Sequence, residues 1–164
     1  MSREFDVDVV DLVDVELPHA LPAGPEGYEA GPGMAVLARR LDDADAFVVV
    51  TPEYNHSYPA SVKHVIDWHG SQWHAKPVGF VSYGGMGGGL RAVEHLRQVF
   101  SETHCVPVRD QVSFDRHWTR VDEEGNLIDA DGADTAAKTL LDQLKWWGSV
   151  LHDARKETPY IASF

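Results

Sequence analysis

One cysteine, Cys105, is the only thiol in this 164-residue sequence, so neither an intramolecular disulfide nor a cysteine-built zinc site can form. A reducing, cytoplasmic compartment is the natural expectation. Cys105 stands just before an apolar stretch, where it reads as a buried, inert thiol rather than a nucleophile. Positive charge is also scarce: 14 Lys and Arg face 26 Asp and Glu, a net of −12. Nucleic-acid and membrane-surface binders need a basic face, so neither class fits. No apolar run approaches the roughly 20 residues of a membrane span, and "MSREFDVDVV" does not have the form of a signal peptide. The acid is uneven. The first 45 residues carry 11 Asp or Glu against three Arg, which reads as a solvated surface.

What is present suits one domain with a core of its own, at 43% hydrophobic residues. Alternation in Phe5-Asp6-Val7-Asp8-Val9 predicts a half-buried strand ending near Leu12. Four prolines between residues 17 and 33 predict a loop, followed by a short helix from Met34 to Leu41. Phe47-Val48-Val49-Val50 is a continuous β-branched run of the kind a strand covered on both faces would have. Pro59 suits the first turn of a helix that places Val62, Val65, Ile66 and His69 at helical spacing. Val78 to Val81 predicts another strand, Leu90–Glu102 a helix and Val106 to Phe114 a further strand. Residues 118–128 read as a hairpin excursion. A long closing helix carries Ala133, Ala137, Leu140, Leu144, Trp147 and Leu151 on one face. Strands alternating with helices predict an α/β fold with a parallel sheet between helical layers.

In such sheets ligands gather at the carboxyl ends of the strands, where two unusual turns fall. Pro52-Glu53-Tyr54-Asn55 stops a strand and then offers a flat ring beside an amide. An equally plain reading has Tyr54 cap the sheet edge and Asn55 close an Asx turn. Ser82-Tyr83-Gly84-Gly85-Met86-Gly87-Gly88-Gly89 concentrates five glycines in eight residues, a costly choice unless positive φ or close backbone approach is required. Exposed N–H groups in such a turn can bind an anion or the carbonyl edge of a heterocycle. Gly87 to Ala92 also matches G-x-G-x-x-A, but too little chain follows to complete a dinucleotide-binding unit.

"TPEYNHSYPASVKHVIDW", followed by "KPVGFVSYGGMGGGLRAVEHLRQVF", resembles the NADPH-dependent FMN reductase family, and the resemblance extends over almost the whole chain. It implies a flavodoxin-like three-layer α/β/α fold of strand order 2-1-3-4-5. It implies FMN and NAD(P)H as cofactors, a quinone-like or other small electron acceptor, ping-pong turnover, and a homodimer or homotetramer. By the same resemblance, Pro52, Glu53, Tyr54 and Asn55 would border the flavin ring. Ser82, Tyr83, Gly84 and Gly85 would meet its other edge, with Gly87 and Gly88 keeping the turn open. Members of the family also have a first strand and a Gly-Ser-x-Arg loop for the FMN phosphate. Neither occurs in this sequence, so strand one is expected to be missing, with a start assigned too late favoured over a partial chain or a true loss. The rival from another class is a flavin-free, non-catalytic remnant acting as a binding or assembly partner.

Other groups carry less. His56, His64, His69 and His74 lie close in sequence, but His64 and His69 are set on different helix faces, so no metal is expected. The acidic stretches at 122–126 and 129–132 lack the EF-hand glycine and read as turns. Arg91 reads as a surface arginine, although a phosphate contact is open to it. The tryptophans divide between core filling and a subunit contact.

Overall fold

The computed structural model describes residues 5–18, 31–128 and 130–160. Three parallel strands, β1 (Phe47–Pro52), β2 (Pro77–Tyr83) and β3 (Val106–Phe114), form one sheet in the order β1-β2-β3. Helices α1 (Pro32–Asp43), α2 (Ala60–Trp68), α3 (Leu90–Glu102) and α4 (Asp131–Glu157), with three short 3-10 turns, complete the described elements. Each β–α–β crossover brings the chain back parallel, as the alternation in the sequence requires.

Side chains of β2 alternate between two cores. Val78 and Phe80 join Leu37, Leu41, Val62, Ile66, Val93, Leu96 and Phe100 on one face. On the other, Val81 packs with Val108, Val112 and the α4 residues Leu140 and Leu144. Gly79 lets α4 approach: a Cβ there would stand 2.6 Å from Leu140 Cδ1. The result is the flavodoxin-like three-layer α/β/α sandwich, with β1, β2 and β3 in sequential order.

Three expectations need correction. Residues 5–10 form no strand and lead into a single 3-10 turn, Leu12–Asp14. Among the described residues no strand lies beyond β1 to offer them a ladder. The segment instead runs against α1, where Arg40 grips Asp8 through two bonds of 2.6 and 2.7 Å and also donates to Val9 O. Second, β1 is covered on one face only. Phe47, Val49 and Thr51 turn inward, whereas Val48 and Val50 are exposed because α4 lies over β2 and β3. Third, the buried line of α4 runs Leu140, Leu144, Gly148, so Trp147 falls outside it. Gly148 faces Asp45 O and draws the helix close there. The excursion is the hairpin expected there, short and with a single antiparallel bridge, Val121 with Leu127, its turn closed by the Asp122 carboxylate on Asn126 N at 2.7 Å.

No helix among the described residues is long and apolar enough to cross a membrane. Cys105 is buried beside Trp73, its thiol pushed up to about 12 by burial, as befits an inert group. Trp73 fills the core, packed edge-on against Phe47 and Phe100, while Trp118, Trp146 and Trp147 are exposed.

Candidate active site

The two unusual turns meet. β1 and β2 end in register, Thr51 with Ser82 and Pro52 with Tyr83, and Glu53 N extends the ladder by donating to Tyr83 O at 2.9 Å. Beyond that point Tyr54 and Ser57 bridge each other, with Asn55 at φ 50° and His56 at φ 74° between them. Two successive left-handed residues are what a type I′ turn needs, and Asn tolerates that region better than most. The turn leaves Tyr54 63% exposed at the rim.

Glu53 points the other way. Its side chain is only 6% exposed, pairs with the Arg91 guanidinium, and accepts the Arg91 N–H at 3.2 Å. A carboxylate there complements the N-terminal end of α3, which has no side-chain cap of its own. Burial pushes Glu53 up, but the Arg91 guanidinium and the N–H groups of Arg91 and Ala92 outweigh it, holding the carboxyl below its usual range. A second tie, Ser57 Oγ to His95 Nδ1 at 2.9 Å, joins the tyrosine turn to the next turn of α3.

The glycine turn is folded from beneath. Ser82, fully buried, and Ser113 both donate to Gly88 O at 2.8 Å. Gly88 (φ 57°) and Gly89 (φ 83°) adopt the left-handed region, and a Cβ on Gly89 would stand 2.5 Å from Ser82 Cβ. Arg91 lies over Gly87, with its Nη2 2.9 Å from where a Cβ would be. Gly84 backs onto Glu53 Cβ, whereas Gly85 faces open space. The N–H groups of Gly85, Met86 and Gly87 find no acceptor among the described residues. The rim therefore pairs an exposed aromatic face with a cradle of unbonded donors, which fits the polar edge of a flat heterocycle.

A third loop completes the rim, and the sequence reading missed it. After β3, Arg116 N donates to Gly85 O at 2.8 Å, and His117 donates to Gly84 O from both its backbone N (3.3 Å) and its Nδ1 (3.2 Å). His117 stands ring against ring with both Tyr83 and Trp118, at 5.3 Å between centroids in each case. The signal was available: this loop follows the carboxyl end of the third strand, where the same rule applies.

The histidines disperse. His64 accepts from Trp68 Nε1, His69 is buried against Val65 O, His74 rests beside His104, and His56 sits on the tyrosine turn. Among the described residues no three His, Cys, Asp or Glu side chains gather as a metal site.

The family described as NADPH-dependent FMN reductase matches residues 1–119. The chain belongs to that family. With membership come FMN and NAD(P)H as cofactors and oxidoreduction as the activity. A probable NADPH:quinone oxidoreductase 1 of Oryza sativa subsp. japonica is 33% identical over 141 residues, covering 80% of this family member and 71% of the relative. A 2-hydroxy-1,4-benzoquinone reductase of Burkholderia sp is 29% identical over 154 residues, covering 88% and 80%. Among solved structures, the flavoenzyme NAD(P)H:(acceptor) oxidoreductase FerB of Paracoccus denitrificans superposes with a TM-score of 0.65 at 23% identity. That match covers 84% of this chain and 77% of that one, and attests the fold.

Proposed function

We propose that the chain, as one flavodoxin-like domain, is an FMN-dependent NAD(P)H oxidoreductase passing electrons to a quinone-like or other small acceptor. The observation that carries this is the convergence of the tyrosine and glycine turns around an open rim. Bound FMN supplies the hydride chemistry itself. The chain's residues have the remaining tasks. The N–H groups of Gly85, Met86 and Gly87 hold the polar edge of the ring, while Pro52, Tyr54 and Asn55 border its other side. Glu53 and Ser82 act from beneath, fixing the two turns; Tyr83, Gly84, Gly87 and Gly88 set their spacing. One open side then serves the nicotinamide and the acceptor in turn, a ping-pong order. The quinone reductases among the relatives support the acceptor class. The buried Cys105 fits a reducing cytoplasm. The exposed Trp146 and Trp147 fit a subunit contact in a homodimer or homotetramer.

Protein incubated with FMN and desalted is expected to be yellow, and NADPH alone to bleach it in a stopped-flow cell before any acceptor is added. Protein that stays colourless overturns the enzyme reading in favour of the flavin-free remnant. Bleaching that requires bound acceptor rules out the ping-pong order.

A further inference from the structure

Reducing a quinone to a hydroquinone takes two electrons and two protons. A hydride that originates on NAD(P)H brings both electrons and one proton, so the second proton needs a donor at the rim. Glu53 is unsuited, since Arg91 holds it as a carboxylate. Asp115 is engaged in the same way by Arg120 first and Arg116 second. A phenol as a class parts with its proton reluctantly near neutrality. Imidazole is the side chain whose proton moves freely there. Two imidazoles stand on the rim loops, His56 and His117, while His95 lies one turn down α3, engaged with Ser57 Oγ. His56 sits on an exposed turn with no side-chain hydrogen bond among the described residues, whereas His117 is fixed twice to Gly84 O.

Since a carbonyl only accepts, His117 Nδ1 must donate to Gly84 O, which leaves Nε2 as the ring nitrogen that this bond does not engage. The ring also meets Tyr83 and Trp118 edge to face. Trp118 is 61% exposed and offers a planar acceptor an apolar face next to the imidazole, 5.3 Å away between ring centroids. Tyr83, Asp115, Arg116 and Arg120 are the other ionisable groups on this loop and strand end.

Building on the flavoenzyme reading, we propose that the loop carrying His117 and Trp118 is the wall for a quinone-type acceptor, with His117 as its proton donor. The Nε2–H bond breaks as an O–H bond forms on the quinone oxygen that the hydride leaves anionic. The neutral imidazole then recovers a proton from water.

His117→Asn tests this, because the Asn amide can keep the bond to Gly84 O in the place of Nδ1 while nothing replaces Nε2. Turnover with 1,4-benzoquinone is expected to fall on the order of 100-fold relative to turnover with ferricyanide, which takes electrons without protons. Free imidazole added to the buffer is expected to restore much of that loss. FMN affinity, read by quenching of flavin fluorescence, is expected to hold. Equal losses with both acceptors and no imidazole rescue overturn the proposal, as does unchanged quinone turnover or the same loss in His56→Asn. Unmodified protein that takes up no FMN overturns the flavoenzyme reading along with it; FMN uptake with an indifferent His117→Asn overturns this proposal alone.

Discussion

Glu53 and Arg91 lie 38 residues apart in the chain yet form the tie between the two rim turns. The folded pKa of Glu53 sits below its ordinary value of 4.5, so the tie is fully in force above that value and weakens as pH falls through the folded pKa. Glu53→Gln is therefore expected to melt at a lower temperature than the parent protein near neutral pH, with the gap closing as pH falls through the folded pKa; thermal melts from neutral into the acid range check it. Gly89 is the other residue on which the rim depends. At φ 83°, with Ser82 Cβ in the way, Gly89→Ala is expected to cost about 1–3 kcal/mol in urea unfolding and to weaken FMN binding with it. Both residues stand in motifs that the sequence displays. That glycines were needed there was legible from five of them in eight positions. The burial of the Glu53 carboxylate was not, because its partner comes from another element.

Helix α4 is positioned by what β2 lacks. Gly79 presents no side chain to it, and Leu140 and Leu144 fill that space, the nearest at 2.6 Å from a would-be Cβ. Gly79→Ala must push the helix outward or force Leu140 off its rotamer, at about 1–3 kcal/mol. The readout is the urea midpoint, with an unchanged slope marking a loss of packing rather than of cooperativity. The same contact explains why the line of buried residues on α4 shifts from Trp147 to Gly148. Helical spacing alone gives an apolar face about 100° wide. The close approach at Gly148, opposite Asp45 O, selects which edge of that face is inside. At the opposite end of the sheet, Arg155 donates to Ala75 O and Lys76 to the carbonyls at the end of α1, so backbone groups at the amino ends of the strands are tied by buried or half-buried cations. Burial pushes the Lys76 ammonium down, with the Arg155 charge adding to it.

For the molecule as a whole, apolar surface is left over. Trp146 is 58% exposed and packs at right angles on Trp147 with Val150 one turn on, while Val48 and Val50 of β1 also face outward. A paired aromatic on the outer face of a helix suits the centre of an interface. Sedimentation velocity is expected to show association at micromolar concentration, and Trp146→Glu to shift the distribution toward monomer without lowering the melting temperature of the monomer. A parent protein that sediments as a monomer throughout overturns the oligomer proposal.

Local pattern determined a good deal by itself. β-branched runs, prolines and glycines act over a few residues, so β1, β2, β3, α2, α3 and the two rim turns could be read from the chain, and their placement at one edge followed from parallel topology. The tertiary structure decided what depends on a neighbour. Phe5 to Val9 alternates like a strand, but a strand exists only where another backbone supplies its hydrogen bonds, and here Arg40 takes that segment to α1 instead. Val48 and Val50 read as buried, but burial is conferred by whatever lies opposite, and α4 covers β2 and β3. His117 carried no motif at all; its place beside the glycine turn comes from β3 ending level with β2, where Phe114 pairs with Tyr83 and delivers the next loop to Gly84 and Gly85.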